Sequence, residues 1–241
     1  HAGSCMTFLR RPTWFAVALT LVGVLVFVRL GVWQLDRAGE KDELLRRFAA
    51  SAAAGVEDFG MIAETPPVDR YPRLDLRGTF VSDHVYLLDD QTHAGQVGVH
   101  AYAPFAPDGK SRWLLVDLGF LPKERGANPR LPPLPTGETR VRGLYVPPPG
   151  VGIRMGGNPL PAQQGAEKSM VYVDLGEIGV DLGRSLYPRV LLLDPDPATL
   201  YARDWTPGFM PPARHRAYAF QWFTFAFAAL VIFVLLHRKR R

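Results

Sequence analysis

The residues best equipped for chemistry open the second of two apolar runs, in Arg214-His215-Arg216-Ala217-Tyr218-Ala219-Phe220-Gln221-Trp222-Phe223. On a helix, residues three, four and seven apart align, so His215, Tyr218, Ala219, Trp222 and Ala226 share one face. That face offers an imidazole above aromatic and small side chains. A flat apolar macrocycle could lie against it with the imidazole on its iron, and Arg214 and Arg216 could meet acidic groups on its rim. The plainer reading is an interfacial collar, a histidine and two arginines around an aromatic belt. Composition alone favours the collar.

A second polar group closes the first apolar run, Leu30-Gly31-Val32-Trp33-Gln34-Leu35-Asp36-Arg37. Arg29 lies one turn inside Trp33, where an ionisable side chain either snorkels outward or pairs within a bundle; snorkelling is the simpler outcome. Gly31 would let another helix approach closely. Gln34 and Gln221 fall near the same depth and could hydrogen-bond between helices.

The elements that must position these groups are two helices long enough to span a bilayer. The first run covers residues 12–35, and Trp14 and Trp33 stand about 28 Å apart along a helix, the spacing of aromatic anchors on a bilayer core. A cleaved signal peptide competes, but the run is long for one and no small-x-small cleavage site follows. The second run covers residues 214–236, ahead of a basic tail at 237–241. Basic residues flank the far ends of both runs, so residues 1–11 and the tail are expected in the cytoplasm. The first five residues precede the first methionine and are set aside as an upstream remnant. A transit peptide has little room before the first run, which points to a bacterial plasma membrane with residues 36–213 in the periplasm rather than a mitochondrial intermembrane space.

Charge supports this division. Six of the 28 basic residues are Arg10, Arg11, Arg238, Lys239, Arg240 and Arg241, and the remaining 22 stand against 23 acidic ones. The isoelectric point of 9.5 thus describes the chain ends, not a nucleic-acid-binding face. A single cysteine, Cys5, excludes an intramolecular disulfide, a cysteine metal site and covalent c-type haem attachment.

Between the runs, residues 36–54 carry charges and alanines at helical spacing and extend the first helix. The period then switches to two: Leu74, Leu76 and Phe80 alternate with Arg73, Asp75 and Arg77. Further strand candidates are residues 85–89, 97–105, 112–121, 139–146, 170–174 and 189–193, with a hairpin turn at Asp108-Gly109. Residues 131–135 and 147–161, rich in Pro and Gly, read as long connections. The expected fold is a membrane protein whose two transmembrane helices flank an extracytoplasmic, mainly β (α+β) domain, an antiparallel sheet or small open barrel with minor helices packed on it.

Familiar catalytic signatures are missing: no Gly-x-Ser-x-Gly elbow, no phosphate-cradling loop, no His-Glu-x-x-His. Asp89 and Asp90 are adjacent in a strand candidate and would point to opposite faces, which argues against shared acid–base work. His84, His93 and His100 fit no standard ligand spacing and read as structural or surface residues.

Leu30-Gly31-Val32-Trp33-Gln34-Leu35-Asp36-Arg37, with Lys41, resembles the Leu-Gly-x-Trp-Gln-x-x-Arg-x-x-x-Lys signature of the surfeit-locus-one family of cytochrome c oxidase assembly proteins. His215-x-x-Tyr218-Ala219-x-Gln221-Trp222-Phe223 resembles that family's second signature. Arg77-Gly78-x-Phe80 and Gly98-Val99-His100 through Pro104 match intermediate blocks more loosely. One block departs: Asp117-Leu118-Gly119-Phe120 stands where the family usually reads Asn-Arg-Gly-Trp.

The resemblance implies a non-enzymatic assembly factor that helps install haem a in the oxidase catalytic subunit, working beside the haem a biosynthesis machinery within the lipid bilayer. His215 takes the position of the family's candidate haem ligand, and Tyr218, Gln221, Trp222, Trp33, Gln34 and Arg29 would line the same interhelical site. Two alternatives stand beside it. One is a membrane scaffold that stabilises an oxidase assembly intermediate without binding haem. The other is a membrane-anchored hydrolase or signalling domain, which lacks a nucleophile–base set.

Overall fold

A computed structural model describes residues 12–124, 127–150, 156–204 and 210–238. Cys5, Arg10, Arg11 and residues 239–241 of the basic tail lie outside them. The chain forms two compact units, His1–Leu45 with Phe209–Arg241, and Arg46–Gly208.

The first unit holds most of helix α1 (Trp14–Ala53, 40 residues) and helix α4 (Pro212–His237, 26 residues). Both are long and apolar enough to cross a membrane. Thr13 accepts the Ala16 N–H at 3.3 Å, an N-cap for α1, and Pro212 opens α4 where its missing N–H costs nothing. Hydroxyls inside the apolar stretches are returned to the helix backbone, Thr20 to Ala16 O at 2.9 Å and Thr224 to Phe220 O at 2.8 Å. The charged stretch after Leu35 continues α1 without a break, as its helical spacing predicts.

The last turns of α1 belong to the second unit, where Phe48 packs on Tyr71 (ring centroids 4.7 Å apart) and Ser51 Oγ accepts the Tyr71 N–H at 3.1 Å. The unit also contains α2 (Phe59–Ile62), β1 (Arg73–Phe80), β2 (Val85–His93), β3 (Gln96–Pro107), β4 (Trp113–Pro122), β5 (Glu138–Val146), β6 (Glu167–Met170), α3 (Leu175–Leu182) and β7 (Leu186–Leu193). Strands β1, β5, β7, β4 and β3 close into a five-stranded barrel. Closure depends on the 12-residue β3. One edge of it pairs first with β2 (His93↔Gln96 to Tyr86↔Tyr102) and then with β1 (Phe80↔Phe105 to Gly78↔Pro107), while β4 runs along the other edge.

The barrel corrects two expectations. It is closed rather than open, and it is mixed rather than antiparallel, because β4–β7 pair in parallel, as do β2–β6 in the sheet extension beyond it. Period-two alternation is the same for either strand direction, so the sequence pattern carries no sign of this. The strand expected at residues 170–174 lies earlier, at Glu167–Met170. Beyond it, Asn158 Oδ1 accepts the Val171 and Tyr172 N–H groups at 2.9 and 3.3 Å, and Asp174 caps α3 through Gly176 N and Glu177 N. Gln163 bonds both N–H and C=O of Ser169. These side-chain amides cover the outer edge of β6.

The core follows the alternation: Val99, Ala101, Ala103 and Phe105 of β3 meet Leu114, Val116 and Leu118 of β4, all buried. The phase then slips by one at a bulge, since Ala101 pairs with Gly119 and Tyr102 with Asp117. Gly119 holds φ +119°, and a Cβ there would lie 2.7 Å from Ala202 O, so only glycine lets residues 201–203 cross β4.

Candidate functional site

The candidate residues in the first unit sort onto two seams. Phe27, Gly31, Gln34 and Ala38 recur on α1 at intervals of four, three and four, and His215, Ala219, Trp222 and Ala226 do so on α4. This is the spacing by which two helices keep one stripe in contact. Gly31, Ala38, Ala219 and Ala226 are buried along it. A Cβ on Gly31 would meet the Phe223 ring at 2.6 Å, so glycine sets how closely the helices approach. Deeper along the pair, Phe27 stacks on Trp222 (5.9 Å, 23°) and tilts against Phe225 (5.8 Å, 60°).

At the polar end of the seam, His215 Nδ1 lies 2.7 Å from Gln34 Oε1. An amide oxygen only accepts, so in this contact the imidazole Nδ1–H is the donor. Arg216, next to His215, pairs with Asp42, about two turns beyond Gln34 on α1. Arg37 lies 5.7 Å above the Trp33 ring and 2.7 Å from Glu40.

The structure thus joins His215, Gln34 and Trp222 and leaves the other candidates off the seam. Tyr218 (41% exposed), Trp33 (42%), Gln221 and Arg29 face outward. The expected bond between Gln34 and Gln221 is replaced by the bond from Gln34 to His215, because Gln221 lies one position away from the seam at Trp222. Arg29 takes the outward alternative. Phe27, Ala38 and Asp42 were not foreseen. The four-three-four spacing of small and aromatic residues was the available signal for all but Asp42.

In the second unit, each histidine set aside as structural or surface has a carboxylate neighbour: His84 with Asp83 at 3.0 Å, His93 with Asp204 at 3.3 Å and His100 with Asp117 at 3.3 Å. No three His, Cys, Asp or Glu side chains among the described residues are placed to hold a metal ion. The Asp89–Asp90 pair sits at a bulge of β2 with Asp90 at φ +53°. Lys123 pairs with Asp89 and holds its carboxyl below the usual range.

The profile of the SURF1 family matches residues 21–227 and takes in both seams. The chain belongs to the SURF1 family. No individual curated protein matches it at a significant level. The SURF1 family is linked to cytochrome oxidase assembly and is a family of assembly factors, not one known for catalysis. Within this SURF1 chain, the two end motifs that carried the resemblance are the strips that hold α1 and α4 together. The departing block, Asp117 to Phe120, lies at the β4 bulge. There Asp117 accepts the Gly119 N–H at 2.9 Å and faces His100.

Proposed function

We propose that this chain serves haem-copper cytochrome c oxidase assembly by holding haem a for insertion into the catalytic subunit. On this reading α1 and α4 span a bacterial plasma membrane, and the barrel stands in the periplasm. The observation that carries it is the bond from His215 Nδ1 to Gln34 Oε1, because a histidine ligates iron through the nitrogen that has no proton.

His215 would hold the iron. Tyr218 and Trp222 share its stretch of α4, and Trp33, Gln34 and Arg29 lie on the matching stretch of α1, with Gln221 beside them. Arg216 is engaged by Asp42, which leaves Arg214 as the arginine for a propionate. Haem a supplies the redox iron of the finished oxidase; what the chain contributes is an oriented imidazole, an aromatic surface and a cation near the membrane face. Its partners on this reading are the haem a biosynthesis machinery, the catalytic subunit and the lipid bilayer.

A second reading, a scaffold that steadies an assembly intermediate without haem, draws on the outward placement of Tyr218, Trp33 and Gln221. Those side chains could receive a helix of the client subunit as readily as a macrocycle.

Absorbance of the full chain, purified in detergent from cells that make haem a, separates the two. Wild-type protein should carry a Soret band that His215→Ala abolishes or shifts to the blue. His237 lies about 33 Å further along α4, so His237→Ala should leave the band unchanged, as should His93→Ala and His100→Ala in the barrel unit. A full, unshifted band in His215→Ala refutes the ligand assignment and favours the scaffold.

A further inference from the structure

We infer that Gln34 is the positioning residue for His215: its amide oxygen decides which imidazole nitrogen can take iron. The inference rests on the reading of His215 as the iron ligand. A neutral imidazole has one N–H and one lone pair, and exchange between its two tautomers moves the lone pair to the other side of the ring. Gln34 Oε1, 2.7 Å from Nδ1, can accept only from the tautomer that carries its proton there, so the contact favours that form. Nε2 is then the ligating nitrogen. The ring is also fixed in rotation, by a residue of the other helix.

The seam explains why α1 can supply this group. Gln34 falls between Gly31 and Ala38, two buried small residues that bring the helix backbones close enough for its side chain to reach α4. Such outer partners orient a ligating histidine and raise its basicity, and their loss typically weakens metal binding by about 10- to 100-fold. The choice of an amide also sets strength. A carboxylate in this place would draw the Nδ1 proton harder and make Nε2 a stronger donor. A neutral amide orients the ring while leaving the hold on iron weaker, as suits a protein that must hand its cargo on.

Three substitutions separate positioning from a simple tie between helices. Gln34→Glu keeps an acceptor, Gln34→Lys offers only donors, and Gln34→Leu offers neither. The first readout is the 15N spectrum of His215 in the full-length, haem-free protein in detergent, which identifies the protonated nitrogen without reference to haem. The second is haem affinity and midpoint potential after loading.

Wild type and Gln34→Glu should carry the proton on Nδ1, and Gln34→Glu should bind haem more tightly at a lower midpoint potential. Gln34→Lys should move the proton to Nε2 and lose about 10- to 100-fold in affinity. Gln34→Leu should show both tautomers and an intermediate loss. A proton on Nε2 in wild type, or wild-type haem binding by Gln34→Lys, overturns the inference. Haem retained by His215→Ala defeats the ligand reading itself, and the tautomer measurement keeps the two failures distinct.

Discussion

Arg189 in the barrel unit and His215 at the polar end of the helical seam are both ionisable side chains in packed positions, and the two units treat them in opposite ways. In the barrel unit Arg189 is 6% exposed and, among the described residues, is bonded to backbone carbonyls and not to a carboxylate. Its terminal nitrogens instead donate to three carbonyls, Tyr145 O (3.2 Å), Arg70 O (3.3 Å) and Pro67 O (2.5 Å), with the Tyr145 ring 6.0 Å away. Burial lowers its pKa, though an arginine remains charged. His215 is half-buried and spends one nitrogen on Gln34. A side chain whose bonding capacity is spread over several backbone groups is holding a structure together; one bonded through a single ring nitrogen is tied far less firmly into its packing.

The sharpest way to break this comparison is to remove each side chain. Arg189→Met fills the space but removes the donor of three carbonyls, Tyr145 O in a buried bond and Arg70 O and Pro67 O in part-buried ones, and an unmet buried group costs on the order of 1–3 kcal/mol. Arg189→Met should therefore lower stability by about 3 kcal/mol or more, read from chemical unfolding of the detergent-solubilised chain by near-ultraviolet circular dichroism. His215→Ala should cost less than about 1 kcal/mol, because one hydrogen bond is lost at a half-buried site. Equal costs would erase the distinction between a firmly and a loosely tied polar group.

A second pair of variants compares the two glycines that permit close approach. Gly119→Ala must place a side chain at φ +119° and 2.7 Å from the Ala202 carbonyl oxygen, within a closed barrel. It should cost about 2–3 kcal/mol and loosen residues 201–203, visible as faster amide exchange at Phe120 and Ala202. Gly31→Ala meets only the Phe223 ring, which can rotate away, so about 1 kcal/mol is expected, with the helices slightly further apart. A larger loss at Gly31 would mean that the helical seam, not the barrel, is the stiffer packing.

The two regions also differed in how much their sequences disclosed. Strands from Arg73 to Val146 were legible because one-sided burial imprints a period of two on residues such as Leu74 and Leu76. Closure was not legible, since it depends on Phe80 meeting Phe105 across β3, a pairing that no local pattern encodes. The strand end at Met170 was overrun because the next amides are satisfied by Asn158, a side chain that mimics a strand edge. In the helical unit His215 and Gln34 were each singled out, yet their bond was not foreseen. The choice of seam face depended on Phe27 and Ala38, which carry no polar signal of their own.

The smallest expected effect separates an exposed ion cluster from the buried arrangements above. Asp75 on β1 faces Arg142 across the β1–β5 pair, with Arg140 on the diagonal. Its carboxylate accepts from Arg140 Nε and Nη2, both at 2.6 Å, and from Arg142 Nε at 2.7 Å. The Arg140 hydrogen bond is the largest influence, and although burial opposes it, the Asp75 carboxyl is held below its usual range. A carboxyl whose folded pKa is depressed adds stability at pH values above its unfolded pKa, and that stability is lost as pH falls through the folded value. Wild type should therefore unfold at a higher temperature than Asp75→Asn near neutral pH, and the two should converge as the pH drops below about 4. Both arginines are about half exposed, with 55% and 51% of the side chain accessible, so solvent screens the attraction. The neutral-pH difference should be about 2 °C and should shrink in high salt. A difference that persists unchanged at pH 3, or that salt does not reduce, would show that Asp75 acts through packing and not through its charge.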